Sequence, residues 1–289
     1  MSDPTRFLGT REAARLLDVG ESTVKRWVDQ GVLPAARTLG KHRKILLADL
    51  ERVARDLNLP RPLGPRPPVP EAAVLAEDFY RALAVGDPMA AHGVLRLAHA
   101  GGFRVARLGD EVVRPAMARL GHGWETGELD VYEEHRGTQA CLFALQALRL
   151  LLPEPAEGAP LAVGGGPEGD PSFLGSLLVG LVLREEGWAT QDIGPDTPFA
   201  SLARVVREKR PRLAWLSCGH LPGLGPFLAG CRLLADEARA AGTALLIGGG
   251  GIGDEARPHL PEGSHRPSLA SLAESARKHA WGACAPGVG

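Results

Sequence analysis

Three sets of residues in this chain carry side chains whose types and spacing could do chemistry. The first lies in WETGELDVYEEHR, which sets Trp124 ten residues before the adjacent Glu134 and His135, with Gly127 breaking the chain between two helical stretches. An aromatic ring, a carboxylate and an imidazole can then meet at one end of a helical bundle; the alternative is a core tryptophan beside a solvated Glu-His pair. The second set is a series of glycine-rich loops: GGGPEGDPSFLG at residues 164–175, SCG at Ser217–Gly219, and Gly248–Gly251. Gly164, Gly166 and Gly169 satisfy the spacing GxGxxG, with Asp192 about twenty residues further on, which taken alone spells dinucleotide binding. Glu168 and Asp170, however, would put carboxylates where a pyrophosphate must approach backbone N–H groups, and Pro171 removes one donor. The glycines suit the close approach of a bulky ring better. Beside Cys218, His220 reads as a surface-loop histidine or as a ligand to a metal or haem. The third set is basic: Arg37, Lys41, His42, Arg43 and Lys44 cluster around Gly40, a pattern suited to phosphate contacts.

No convincing nucleophile-base arrangement accompanies these groups, so an enzyme is not expected. With 289 residues and a formal net charge of −1, the chain is no basic nucleic-acid coat, and any contact with DNA must come from a local cluster. The four cysteines, Cys141, Cys218, Cys231 and Cys284, form no CxxC and none of the close spacings that zinc sites use. They read as reduced thiols. The N-terminus lacks a signal-peptide apolar run, and no stretch of about 18 apolar residues could span a bilayer, so a soluble cytoplasmic protein is expected.

The elements that must position these groups follow from periodicity and breakers. In PRPLGPRPPVP, residues 60–70, six of eleven residues are proline, which makes a semi-rigid linker. Before it, residues 1–59 read as a small DNA-binding domain. Thr10 can cap a helix through Leu17, and Ser22 can cap a second that stops at Gly31, which is helix-turn-helix spacing. On that second helix Val24, Trp27 and Val28 share an inward face, leaving Ser22, Thr23, Lys25 and Arg26 for a major groove, while the basic cluster at Gly40 makes a wing. The bland reading is a solvated basic turn in a small helical domain. After the linker, helical periodicity at roughly 71–85, 88–100, 103–121 and 128–152 suggests a four-helix bundle over 71–155. From 156 to 289 short apolar runs alternate with amphipathic helices, the pattern of a flavodoxin-like, doubly wound parallel sheet. The expected class is therefore multidomain, α plus α/β. In such sheets ligands sit outside the carboxyl ends of the strands, where the three glycine-rich loops lie.

The segment REAARLLDVGESTVKRWVDQGVLPAARTLGKHRKI resembles the MerR-type and excisionase-type winged DNA-binding domains over about 45 residues. That resemblance implies DNA contacts at Arg26, Arg37, His42 and Arg43, and binding as a dimer or higher homo-oligomer. The proline linker, the run AHAGGFRVARLGDEVVRPAMARLGHGWETGELDVYEEHR and the αβ module together resemble the cobalamin-binding, light-sensing repressors of the CarH type, including their W-x9-EH motif. The resemblance implies a bundle that caps the upper face of adenosylcobalamin, with Trp124, Glu134 and His135 near the adenosyl group. Against the D-x-H-x-x-G, S-x-L and G-G motifs of such modules, Asp170, Gly175, Ser217, Gly248 and Gly249 match. Ser172 stands in place of the axial histidine, and Gly219 in place of the leucine. Both departures fall on the lower face, and serine is a poor ligand for cobalt.

Two functions remain open on these residues. One is a DNA-binding regulator, a repressor and photoreceptor by resemblance, whose subunit assembly (dimer or tetramer) responds to a cobalamin-type ligand. The other is a DNA-binding regulator whose module has lost cobalamin, and serves as an interaction surface or binds haem instead.

Overall fold

The computed structural model describes residues 7–17, 19–37, 43–56, 69–221 and 223–281. The chain divides into two compact units, one before and one after the Pro67–Pro68 bond. Most of the proline linker, the wing residues Lys41 and His42, and Cys284 lie outside the described residues.

In the first unit β1 (Phe7–Gly9), β2 (Ala36–Arg37) and β3 (Arg43–Leu46) form an antiparallel sheet in the order β1-β3-β2, accompanied by α1 (Thr10–Leu17), α2 (Glu21–Asp29) and α3 (Leu47–Asp56). Val24 is fully buried in a core with Leu8, Leu17, Leu33, Ile45 and Leu50, and Trp27 and Val28 pack against it. These positions lie at i, i+3 and i+4, so one face of α2 is consumed by packing and the other is left outward. The helix starts differ from the capping pattern expected of the sequence. Thr10 is the first residue of α1, and its hydroxyl donates to Glu21 Oε1 at 2.9 Å instead of capping. Ser22 lies inside α2, whose N-cap is Gly20 with no side-chain cap. The Thr10–Glu21 bond joins the two helices directly.

The second unit begins with four bundle helices. They are α4 (Ala72–Val85), α5 (Pro88–Ala100), a third run made of α6 (Val105–Leu108), a π-helical turn (Gly109–Val113) and α7 (Arg114–Glu125), and α8 (Val131–Arg149). Asp87 caps α5 by accepting from the N–H groups of Met89 and Ala90, with Pro88 at the first position. Asp130 and Glu133 form a reciprocal capping box at α8.

The bundle is followed by β4 (Leu161–Gly165), α9 (Leu174–Glu185), β5 (Ala189–Asp192), α10 (Phe199–Lys209), β6 (Leu213–Ser217), α11 (Leu224–Ala241), β7 (Ala244–Gly248) and α12 (Leu269–Trp281). The strands are parallel in the order β5-β4-β6-β7, and a fifth is reduced to one bridge between Ile247 and His265. Alternation along β6 sends Leu213 and Trp215 to a core shared with α9, α12 and the bundle. It sends Ala214, Leu216 and Cys218 to a second core with α10 and α11. No helix among the described residues is long and apolar enough to cross a membrane.

Bundle and sheet therefore share one core, and polar pairs fasten its rim. Arg104 reaches Glu185 and Glu186, both at 2.8 Å, and Arg277 reaches Glu186 at 2.7 Å. Burial works against the charge of Arg104, but the two carboxylates outweigh it and raise its pKa. Elsewhere, Asp110 on the π-helical turn accepts from the N–H groups of Leu269 at 3.0 Å and Ala270 at 2.9 Å, capping α12 from another element. A Cβ on the neighbouring Gly109 would collide with the Leu269 side chain. Asp110→Ala should lower unfolding stability by about 1–2 kcal/mol, the range for a lost cap, and Asp110→Asn by less. Chemical denaturation followed by circular dichroism reads both.

Candidate functional site

A cavity of about 820 Å³ lies between the bundle and the carboxyl edge of the sheet. Its bundle wall includes Asp110, Arg114, Met117, Trp124, Glu134 and His135, and its sheet wall Ser172, Gly175, Trp215, Ser217, Gly248, Gly249 and Arg266. The W-x9-EH residues and the loop residues, far apart in sequence, thus meet around one space. Trp124 is half exposed and the His135 side chain is 72% exposed, so they stand at the mouth, with His135 Nε2 3.7 Å from Glu134 Oε2. Glu134 accepts the Thr138 hydroxyl at 2.8 Å, one turn along α8.

Asp170 does not line the cavity; it is fully buried behind the wall and organises it. One carboxylate oxygen accepts the Ser172 N–H at 2.9 Å, and the other the Gly219 N–H at 2.6 Å. The loops after β4 and β6 are thereby tied through one carboxylate. They touch closely: a Cβ on Gly219 would lie 2.5 Å from Ser172 Cβ, so a leucine at 219 has no room here. Gly175 brings the first turn of α9 against Ser217, since a Cβ there would meet its hydroxyl at 2.6 Å. Gly249 takes φ +119, which turns the loop after β7 back over Cys218.

Other expectations for this region resolve as follows. Gly164, Gly166 and Gly169 are absent from the cavity wall. The N–H of Gly166 donates to Gly194 O, and that of Gly169 to Asp196 Oδ1 at 2.7 Å. Donors that a dinucleotide would need are spent inside the protein. Asp192 accepts from Ser176 and Gly194; burial raises its pKa and these two bonds oppose the rise. His220 is exposed and off the cavity wall, and Cys218 Sγ donates to its carbonyl, so this pair presents no metal ligand to the pocket. Burial pushes the thiols of Cys141, Cys218 and Cys231 up to about 12, which leaves them protonated. Among the described residues, no group of three or more His, Cys, Asp and Glu is placed to hold a metal ion.

Wall residues that sequence reasoning passed over are Asp110, Arg114, Trp215 and Arg266. Trp215 left the clearest signal, a large ring on a buried strand that reads LAWLS beside a strand that reads LAVGG.

In the first unit, Ser22, Lys25 and Arg26 are exposed on α2 and Thr23 is half-buried. Lys25 pairs with Glu21 at 3.0 Å across one turn. The Arg43 guanidinium is held by both carboxylate oxygens of Asp29, at 2.7 and 2.9 Å, which pins β3 to the end of α2. Arg37 lies on β2 opposite Arg43.

Residues 7–57 match the family model of a helix-turn-helix domain, and residues 75–149 that of a B12 binding domain. The HTH-type transcriptional repressor CarA of Myxococcus xanthus is 27% identical over 268 residues, covering 88% of this chain and 88% of its own length. The dimethylamine corrinoid protein of Methanosarcina barkeri is 27% identical over 135 residues, or 46% of this chain, and the chain spans only 63% of that relative. The monomethylamine corrinoid protein of Methanosarcina barkeri superposes with a TM-score of 0.59 at 17% identity, over 71% of this chain and 98% of that one, which shows a common fold.

Replacing Asp170 by alanine orphans two loop N–H groups around a buried position. The loss should be at least about 3 kcal/mol, because two hydrogen bonds to a charged group are lost at about 1.5–3 kcal/mol each. Faster hydrogen exchange at the Ser172 and Gly219 amides, out of proportion to the global loss, should accompany it.

Proposed function

We propose that this chain, a helix-turn-helix domain joined to a B12-binding module, is a transcriptional regulator that binds DNA through its first unit and senses a cobalamin-type ligand through its second. One observation carries the reading: the cavity gathers Trp124, Glu134, His135, Ser172, Gly175, Ser217, Gly248 and Gly249 between bundle and sheet edge. Its size lies within the usual range for ligand pockets. Glycines on the sheet side let backbone approach a broad flat ring, and the bundle side offers an aromatic, an imidazole and a carboxylate toward its other face. Adenosylcobalamin, when bound, would supply a cobalt–carbon bond that visible light breaks. A response to light through subunit assembly, in a repressor-like protein that acts as a homo-oligomer in the cytoplasm, completes the proposal.

On the sheet side the fit is partial. By the resemblance Ser172 stands where such modules carry a histidine that would hold cobalt, and among the described residues the sheet wall includes no histidine, cysteine or methionine. The serine hydroxyl can hydrogen-bond but supplies no neutral nitrogen to cobalt. A bound corrinoid would keep its own base or a water there. This departure favours the second reading, a ligand-free module for interaction with other proteins.

A visible spectrum after incubation with adenosylcobalamin and removal of the free ligand separates the two. The wild type should elute coloured. Ser172→His should tighten binding by about tenfold, the low end of what metal-site partners contribute, and move the spectrum toward a nitrogen-ligated form. Trp124→Ala should loosen the adenosyl form only, and illumination should change the elution volume. If wild type and Ser172→His both stay colourless, the ligand-free module is the better account.

The DNA contacts assigned are Ser22, Thr23, Lys25 and Arg26 on α2, with Arg37, Lys41, His42 and Arg43 on the wing. Arg26→Ala should weaken operator binding and reduce the slope of log K against log salt by about one, as loss of one phosphate contact does. A titration at several salt concentrations that returns the wild-type slope would exclude Arg26 from the phosphate contacts.

A further inference from the structure

The innermost part of the cavity wall is made by Leu178, Val179, Trp215, Leu246 and Leu272, all buried. Trp215 is the largest of them. Its ring leaves β6 and crosses the paired residue Gly164 on β4, where a Cβ would collide with the indole. At its far edge Nε1 donates to Ser176 Oγ on α9 at 2.9 Å, and the Ser176 hydroxyl donates onward to Asp192 at 2.9 Å. The indole therefore spans from one strand over the next to the helix that flanks them, and its buried hydrogen bond to Ser176 fixes it in that orientation. A fully buried N–H with a buried partner does not swing aside without leaving polar groups unsatisfied.

Any ligand seated against the three glycine-rich loops meets this ring when it reaches below the edge of the sheet, between the strands and α9. We propose that Trp215 is a depth stop that sets ligand class: the pocket takes the flat ring of a corrinoid and leaves a bulky nucleotide tail outside the sheet. The proposal rests on the cobalamin-type reading above and adds to it which part of the molecule is recognised. It also agrees with Ser172 on the lower face, since a tail left outside keeps its base available to the metal.

The test compares two probes on the full-length protein: cobalamin, and cobinamide, a corrinoid that lacks the nucleotide tail. Dissociation constants from absorbance titration should lie within about threefold of each other for the wild type, because the tail makes no contacts. Trp215→Ala opens the slot and should shift the ratio in favour of cobalamin by about fivefold or more, with Trp215→Phe in between. Wild-type binding of cobalamin at least about tenfold tighter than cobinamide would overturn the depth stop while leaving the cobalamin reading intact. Binding of neither probe would overturn both. A Trp215→Ala protein that folds, judged by its circular dichroism, and keeps the wild-type ratio also counts against the proposal. Should that variant fail to fold, the wild-type ratio and Trp215→Phe still decide.

Discussion

The ligand side of this molecule hangs on one buried carboxylate. Asp170 is fully enclosed, and a charge in that position is tolerable only because both oxygens accept backbone N–H groups, one from each of two loops. Its own carbonyl accepts the Asp196 N–H, bringing in the loop after β5 as well. Three loops at the carboxyl edge of the parallel sheet meet at this residue, those after β4 and β5 being joined as well by the Gly166 N–H to Gly194 O and by the Thr197 N–H to Gly166 O. Here they are referred to a common point, and the sheet wall of the cavity takes its shape from that point.

That shape is a set of large-against-small pairings. Trp215 sits against Gly164, Ser217 against Gly175, and Ser172 against Gly219, and in each pair a Cβ on the glycine would meet its partner. The pairs join β6 to β4, the end of β6 to α9, and the loop after β4 to the loop after β6. A side chain added at any of these glycines would push apart elements that the Asp170 bonds pull together. The glycine richness of the loops therefore serves internal packing as much as ligand approach, and this also explains why GxGxxG spacing carries no nucleotide site here.

How far these features were legible in the sequence depended on how local their cause was. Helix α8 followed from its apolar period, and the four parallel strands from apolar runs between amphipathic helices. At Thr10 and Ser22 the helices begin earlier than the capping pattern expects, at Thr10 itself and at Glu21, so neither residue stands outside its helix to serve as N-cap. The π-helical turn at Gly109–Val113 was not read from periodicity, which runs helical on both sides of it. Convergence of Trp124 and His135 with Ser172 and Gly249 came through family resemblance, not through spacing, because it depends on how the bundle lies on the sheet. The same long-range packing hides Asp110 and Arg266: neither belongs to a motif, and both reach the cavity only once α12 is in place.

The joint between bundle and sheet bears on how the cavity responds to a ligand. Apolar core holds its middle, Arg104 and Arg277 clasp Glu185 and Glu186, and Asp110 caps α12. These contacts hold the bundle wall opposite the sheet wall. One segment of the joint lies at the cavity itself. There the π-helical turn interrupts the regular hydrogen-bond ladder of the third bundle helix, and Gly109 and Asp110 face both α12 and the open space. Asp110 lines the cavity and caps α12 at once, so cavity wall and helix start depend on one carboxylate.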